Sequence, residues 1–186
     1  MAVEKNTFLK QAVGASEAAA IMGVHWTVPK RMQEKGLLTA HFMPDSLYSD
    51  DPTKVYAIYD GGECEADYRA YDEAYRARGG KTLRRPRSWL HLRPDALRHL
   101  KGVEQPIAFS DAIGMAEAAK ILCVHQTLIP RLVAAGKVVG RRPWNPRGSG
   151  GRIYILSRKS CQANLKEMRA LEAAGKKCGP RRKKVS

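Results

Sequence analysis

The stretch GVHWTVPKRMQEKG, residues 23–36, recurs one hundred positions later as CVHQTLIPRLVAAG, residues 123–136. Residues 12–41 align on residues 112–141 without a gap, and 11 of the 30 positions carry the same residue. Most of the remaining apolar positions exchange one apolar residue for another. So much ungapped agreement at one spacing indicates two copies of a single supersecondary unit.

The first half of each copy predicts a short helix. In the first copy, residues 15–22 consist mainly of good helix formers, and Ala18, Ile21 and Met22 are spaced to lie on one face. Gly23 then ends the helix, because glycine adopts the left-handed conformation at little cost.

The second half of each copy predicts a capped amphipathic helix. Thr27 is a good N-cap, and residues 28–35 form the helix with Val28 and Met32 facing inward. Gly36 supplies a left-handed C-cap. A proline in the first turn of this helix costs little in either copy, because the backbone N–H groups there have no intrahelical acceptor. Two short helices around a tight turn constitute a helix-turn-helix.

Each helix pair is followed by a hairpin pattern and one more helix. The predicted strand pairs are residues 37–42 with 54–59 and 137–142 with 152–157, and the closing helices are residues 63–78 and 160–174. Because the loops inside these hairpins are rich in turn residues, the hairpins are expected to form wings. The predicted fold class is α+β, mainly α, with two winged helix-turn-helix modules in tandem.

The chain accordingly divides into four parts. They are a first module at residues 1–80, a linker at 81–106, a second module at 107–175 and a basic disordered tail at 176–186. The linker is expected to be structured and to pack the modules together, with a short strand at residues 89–92 and a helix from Pro94 or Asp95 to Lys101. A flexible linker is the alternative.

Charge is distributed unevenly along the chain. Residues 1–80 carry 9 basic and 12 acidic side chains, a formal charge of −3, whereas residues 81–186 carry 24 basic and 6 acidic ones, a formal charge of +18. Such a field attracts a polyanion, and nucleic acid is the first candidate. A membrane surface would require a basic amphipathic helix with bulky apolar residues opposite, which the sequence does not contain.

Cysteine usage and hydropathy predict a cytoplasmic protein, which would be nucleoid-associated if nucleic acid is its partner. The four cysteines show no paired spacing, which is typical of reduced thiols in the cytosol. No run of 18 apolar residues is present, and the N-terminus lacks the apolar core of a secretory signal.

The segments EAAAIMGVHWTVPKRMQEKGLL and EAAKILCVHQTLIPRLVAAGKVV resemble the excisionase-like branch of the MerR-type winged helix-turn-helix superfamily. Members combine E-A-A-x-x-L-G-V, a polar turn, and a second helix with an arginine and a closing x-G-[KE]-L. The resemblance covers both repeats with their wings, and it implies DNA binding through the second helix and the wing. Departures from the family pattern are Pro29, Pro130, the acidic first wing, and Cys123 in place of the turn glycine.

A recognition helix presents its N-terminal part to base edges, and flanking groups hold phosphates. The expected DNA contacts in the first copy are His25, Trp26, Thr27, Lys30 and Arg31, and those in the second copy are His125, Gln126, Thr127 and Arg131. The arginines suit either a guanine edge or a phosphate, and Gln126 suits adenine. The threonines alternatively act only as N-caps, and the histidines only close the turn. No metal role is expected for the histidines, because no other ligand-type residue lies at matching spacing.

The two wings differ in charge. Further expected DNA contacts are Arg141, Arg142, Arg147 and Arg152 in the second wing, and Arg181, Arg182, Lys183 and Lys184 in the tail. The wing arginines suit a narrow minor groove or flanking phosphates, and the tail suits phosphates. The first wing carries Asp45, Asp50 and Asp51, so it is expected either to stand off the DNA or to contact protein.

These features predict a sequence-specific double-stranded DNA-binding protein without a cofactor. The two copies present unlike side chains, such as Trp26 against Gln126, so one chain is expected to read an asymmetric element of two half-sites. A transcriptional regulator and an excisionase-like recombination directionality or architectural factor fit equally well. The possible protein partners are a second copy, a recombinase or RNA polymerase. An RNA-binding or ribosome-associated basic protein is the alternative, and no pattern typical of an enzyme is present.

Overall fold

The sequence repeat appears in the structure as two units with the same order of elements. The computed structural model describes residues 10–44, 55–79, 89–146 and 153–174. Repeat one comprises β1 (Ala12–Gly14), α1 (Ala15–Met22), α2 (Val28–Glu34), β2 (Ala40–Pro44), β3 (Val55–Asp60) and α3 (Gly61–Ala77). After the connecting helix α4 (Arg93–Lys101), repeat two comprises β4 (Ala112–Ile113), α5 (Met115–Leu122), α6 (Ile129–Ala134), β5 (Gly140–Arg141), β6 (Ile155–Ser157) and α7 (Arg158–Ala173). The fold is α+β, mainly helical with two small sheets, which agrees with the predicted class.

Each repeat has one three-stranded antiparallel sheet with its last strand in the middle. The strand orders are β1-β3-β2 and β4-β6-β5, and Val13 lies opposite Tyr59 as Ile113 lies opposite Leu156. The predicted hairpins form, with β2 paired to β3 and β5 paired to β6. The sequence did not predict β1 and β4, because two or three residues are too few to show an alternating pattern.

The first helix of each repeat is the centre of that repeat's core. Residues 17–22 of α1 are all buried, including Ala18, Ile21 and Met22, which the helical spacing predicts to face inward. α1 is covered by α3 on one side and by α4 on another, which explains why a single apolar face does not describe it. In repeat two, α5 packs against α7 in the same way.

The connection between the repeats belongs to the core of repeat one. Its helix begins at Arg93, close to the predicted start, but residues 89–92 form a 3-10 turn and not the predicted strand. The physical reason is that this segment packs on α1, where the side chain of Leu90 lies beside Gly23, and helix packing suits a turn better than an extended strand. Arg93 fixes the arrangement by donating to the carbonyl of Ile21 and, at 2.7 Å, to Glu65.

The two repeats share a buried core where their sheets meet. This cluster draws residues from both repeats and from the segment between them: Ala12, Met43, Ile58, Ile107, Ala112 and Ile155. The Tyr56 hydroxyl of repeat one accepts a hydrogen bond from the backbone N–H of Met115 at 3.3 Å and donates to the carbonyl of Tyr154 at 3.2 Å. The repeats are therefore packed on each other, and the chain between them is not their only connection.

The described part of the chain contains no helix with the length and apolar character needed to cross a membrane.

Candidate nucleic-acid interface

The turn between the two short helices is closed by a histidine in both repeats. Nδ1 of His25 accepts the backbone N–H of Thr27 at 3.4 Å and lies 2.9 Å from its hydroxyl oxygen. The corresponding distances from His125 to Thr127 are 3.3 and 2.8 Å. The interpretation that the histidines close the turn is confirmed.

Threonine side-chain capping, in contrast, is a wrong prediction. Thr27 stands at the start of α2, but its side chain makes no capping hydrogen bond to the helix. Its hydroxyl is engaged instead with the preceding histidine ring, which also takes the backbone N–H. In repeat two, Gln126–Leu128 form a 3-10 turn that His125 caps, and α6 begins only at Ile129.

The second helix of each repeat lies at the surface with one residue turned into the core. The buried positions are Pro29 in α2 and Ile129 in α6, which occupy equivalent places in the repeat. Val28 and Met32, predicted to face inward, are half-buried. Pro29 thus fills in α2 the position that Ile129 fills in α6. The N–H that proline lacks is not needed there, because the first turn of a helix has no intrahelical acceptor for it.

The residues predicted to face DNA from these helices are mostly exposed. Lys30, Arg31 and Arg131 are exposed, as is Thr127, whereas Gln126 is half-buried. Trp26 is 43% exposed, and its ring lies 5.8 Å from the ring of His25. An exposed tryptophan beside exposed cations is suited to contact with a sugar or a base.

Arg31 and Arg131 occupy the same place in the two repeats. Both side chains are exposed, and within the described ranges neither guanidinium has an ion-pair partner. By comparison, Lys30 on the same helix lies 4.0 Å from Glu34. A guanidinium that is not already neutralised can form the bidentate bonds that phosphate or a guanine edge accepts.

Arg141, which the sequence places among the DNA contacts, lies inside the protein. Its side chain is 9% exposed and donates to both carboxylate oxygens of Glu17, at 2.6 and 3.0 Å. It also donates to the carbonyl of Ala12 at 2.6 Å. The reason is that β5 of repeat two lies against the start of α1, so its arginine meets a buried carboxylate there. Arg141 therefore joins the repeats and is removed from the candidate interface.

Glu17 is the polar centre of the contact between the repeats. The side chain is fully buried and, besides Arg141, accepts the backbone N–H groups of Gly14 and Trp144, each at 2.8 Å. His99 Nε2 lies 3.7 Å from the same carboxylate. A buried carboxylate is tolerated when its charge is paired and its oxygens are hydrogen-bonded, and both conditions hold here.

The remaining predicted contacts divide between one exposed residue and several that the structure does not describe. Arg142 is exposed at the start of the second hairpin loop. The following predicted contacts lie outside the described residues: Arg147, Arg152, Arg181, Arg182, Lys183 and Lys184. The acidic residues of the first loop, Asp45, Asp50 and Asp51, lie outside them as well.

Two exposed lysines near the surface helices were not predicted. Lys35 follows α2 and Lys137 follows α6, each next to the glycine that ends the helix. A basic residue beside that glycine in both copies is the signal that could have identified them. They extend the cationic surface along both helices.

Two cavities lie where the repeats meet. The larger, of about 950 Å³, runs between α4 and the end of α6, and its walls include Arg98, His99 and Trp144. The smaller, of about 370 Å³, lies beside the first turn of α1. Arg31 and Arg131 line neither of them. Neither cavity therefore belongs to the candidate interface around these two arginines.

No protein family, curated protein or solved structure matches this chain.

Proposed function

We propose that this protein binds double-stranded DNA sequence-specifically through two winged helix-turn-helix units, one in each repeat. In this proposal α1 with α2, and α5 with α6, are the helix-turn-helix pairs, and the two hairpins are the wings. The observation that carries it is the exposure of Arg31 and Arg131 at equivalent places on two surface helices, with no ion-pair partner in the described part of the chain.

The burial of the first helix supports this assignment. α1 is enclosed by α3, α4 and its sheet, so it holds the second helix at the surface in a fixed orientation. A recognition helix needs such support, because its side chains must reach base edges at defined positions. The same histidine contact closes the turn between the two helices in both repeats.

Charge supports a nucleic acid and not a neutral partner. The formal charge of residues 81–186 is +18, and exposed cations follow both surface helices. Contacts from such cations to phosphates supply affinity, and contacts to base edges supply specificity.

The two repeats would read different sequences. Trp26 corresponds to Gln126, and Lys30 corresponds to Pro130, so the two helices present unlike groups to a groove. Gln126 suits adenine, whereas Trp26 suits a sugar or a thymine methyl group. The DNA element is therefore expected to contain two dissimilar half-sites.

The resemblance to excisionase-like proteins suits a role in site-specific recombination, and the helix-turn-helix arrangement serves transcriptional control equally well, so the proposal includes both roles. A recombination directionality factor occupies or bends a site, and a regulator occupies an operator. The protein partner would be a second copy, a recombinase or RNA polymerase.

The test is a gel-shift assay with duplexes selected from a random library by the full chain. With ~8 phosphates neutralised, log K should fall with log salt at a slope of about −7. Replacing Arg131 by Ala should lower affinity for the selected duplex by about 1–3 kcal/mol, or roughly 5- to 150-fold.

Arg169 supplies the matched control, because it is exposed on α7, outside both proposed recognition helices, and its removal changes the net charge equally. Arg169→Ala should cause only the small loss expected from one distant charge. A flat salt response, equal losses in the two variants, or preferential displacement by structured RNA would contradict the proposal.

A further inference from the structure

The contacts between the repeats are reciprocal. A Cβ atom added at Gly14 of repeat one would lie 2.7 Å from Cβ of Pro143 in repeat two. A Cβ atom added at Gly114 of repeat two would lie 3.0 Å from Cβ of Met43 in repeat one. Gly14 is equivalent to Gly114 in the aligned repeat. Met43 and Pro143 lie two residues past the equivalent pair His41 and Arg141, which face Ile58 and Ile155 in the two sheets, so they are equivalent as well.

The shared core repeats this pattern. Ala12 and its equivalent Ala112 both belong to it. Ile58 lies opposite Gly14, and Ile155 occupies the matching place in the central strand of the other sheet. Residues near a symmetry axis meet their own equivalents, whereas residues farther away make reciprocal pairs.

Only a two-fold relation gives contacts of this kind. If position i of one copy touches position j of the other, and j of the first touches i of the second, the interface is isologous. A side-by-side repetition in one direction would instead use two different surfaces. The chain is therefore a pseudo-symmetric dimer of repeats with an internal two-fold axis at the shared core.

The axis is held by specific interactions as well as by apolar packing. On one side Glu17 binds Arg141 and the N–H of Trp144. On the other side the Tyr56 hydroxyl reaches the first N–H of α5. Hydrogen-bonded contacts on both sides, buried at Glu17 and part-buried at Tyr56, fix the distance and angle between the repeats, which a flexible connection would not do.

We infer that the DNA element contains two dissimilar half-sites in inverted orientation at one fixed spacing. This inference rests on the proposed function, and it adds the orientation and the spacing, which that function leaves open. A two-fold rotation preserves height along its axis, so α2 and α6 lie at the same level. A duplex that crosses this axis at a right angle would contact both helices. The two helices would read the duplex in opposite directions, and the centres of the two half-sites would lie about one turn (~10 bp) or a multiple apart.

Orientation is tested by making the two reading surfaces alike. The variant combines Gln126→Trp, Pro130→Lys, Ala134→Glu and Ala135→Lys, which place the repeat-one residues on α6 and its turn at exposed or half-buried positions. Duplexes of about 40 bp, long enough for half-sites one or two turns apart, are then selected from a random library by the full-length variant and by the unchanged chain. We expect the variant to select a palindrome. A direct repeat would overturn the inference and leave the proposed function in place.

Spacing is tested with the unchanged chain and its own selected duplex. Inserting about 5 bp between the half-sites turns one of them to the opposite face of the duplex, and we expect affinity to fall about 100-fold or more because the two sites can no longer be engaged together. A loss below about threefold would overturn the fixed spacing. Failure of the unchanged chain to bind any duplex would overturn the proposed function itself and this inference with it.

Discussion

The two repeats use the same glutamate for different purposes. Glu17 and Glu117 occupy equivalent positions in α1 and α5. Glu17 is fully buried and binds Arg141 of the other repeat, whereas Glu117 is part-exposed and binds Arg158 of its own repeat at 2.6 Å. The difference shows that a symmetric backbone can carry an asymmetric set of contacts.

The position equivalent to Arg141 explains the asymmetry. It is His41 in repeat one, whose ring stacks on Phe109 at a centroid distance of 4.2 Å. Without an arginine there, a buried Glu117 would have no strong partner, and the carboxylate turns instead toward Arg158. The exchange of arginine for histidine thus accompanies the change from a fully buried to a part-exposed carboxylate.

The largest expected effect is the difference in the free energy of unfolding between variants of these two glutamates. Glu17→Ala leaves the guanidinium of Arg141 buried without its partner, which should lower the free energy of unfolding by about 3–5 kcal/mol. Glu117→Ala removes a part-exposed ion pair and should cost less than about 1 kcal/mol. Urea denaturation of the two variants measures both values. Equal losses would mean that the contact between the repeats is not a principal source of stability.

The next effect concerns the glycine at the axis. A Cβ at Gly114 would overlap the Tyr56 hydroxyl, so Gly114→Ala should cost about 1–3 kcal/mol through forced repacking. Adding Tyr56→Phe should recover part of the loss, because it removes the overlapped atom. Thermal or urea denaturation of the single and double variants is the measurement.

Gly102 supplies the control for that experiment. Its φ is −79°, and the nearest atoms to an added Cβ are carbonyl oxygens at 3.5 and 3.6 Å, an ordinary contact. Gly102→Ala should therefore be neutral or slightly stabilising. A loss at Gly102 as large as that at Gly114 would contradict close packing at the axis as the cause.

Local elements of this fold could be predicted from the sequence because their signals are local. The helix at residues 15–22 and the glycines that end the short helices follow from residue preferences within a few positions. The duplicated topology followed from self-similarity at one spacing. Turn closure by the histidines was one of two interpretations that the sequence left open, because general preferences favour threonine as the capping residue and do not show that a histidine ring two positions earlier accepts its N–H.

The contact between the repeats could not be predicted for a different reason. Arg141 and Glu17 are 124 positions apart, and their pairing depends on how two complete units pack. From the sequence, an arginine in a basic segment indicates a DNA contact, and nothing local separates it from its exposed neighbour Arg142. Residues 89–92 were misassigned likewise, because apolar residues suit a strand until their packing on α1 is known.

A smaller change in the free energy of unfolding is expected from substitutions at the residues that end α1 and α5. Both adopt the left-handed conformation, with φ of 67° at Gly23 and 55° at Cys123. Only glycine does so without steric cost, so Cys123→Gly should raise the free energy of unfolding by about 0.5–1 kcal/mol after the added freedom of the unfolded chain is deducted.

Placing a side chain at Gly23 should lower the free energy of unfolding by more than Cys123→Gly raises it. Gly23→Ala meets both the backbone strain and the side chain of Leu90, whose Cδ1 lies 3.0 Å from the added Cβ. Denaturation of both variants under the same conditions gives the comparison. Destabilisation by Cys123→Gly would show that the cysteine side chain makes a contact worth more than the strain it causes.

The smallest expected effect is the alkaline sensitivity of the two buried thiols. Cys64 in α3 and Cys161 in α7 are buried; desolvation raises the pKa of Cys161 from 9.0 to about 11 and that of Cys64 well above its usual value. A raised pKa means that the unfolded chain loses the proton first. The stabilisation is therefore complete below pH 9 and is lost as the pH rises toward the folded-state pKa. At a pH of about 9.5, ionisation of each thiol in the unfolded chain should lower the free energy of unfolding by less than about 1 kcal/mol relative to its value well below pH 9.

Tyr59 distinguishes the two repeats at still higher pH. It lies in the core of repeat one, where desolvation raises its pKa from 10.0 to about 12, whereas the matching place in repeat two is Leu156. The measurement is the free energy of unfolding between about pH 8 and 11 for the unchanged chain, Cys161→Ala and Tyr59→Phe. Cys161→Ala should flatten the curve from about pH 9, and Tyr59→Phe only above about pH 10. If the free energy of unfolding of either variant still fell with pH as steeply as that of the unchanged chain, within the pH range given for that variant, ionisation of the replaced residue would not cause the loss of stability there. Any difference in stability between the two cores would then come from packing alone.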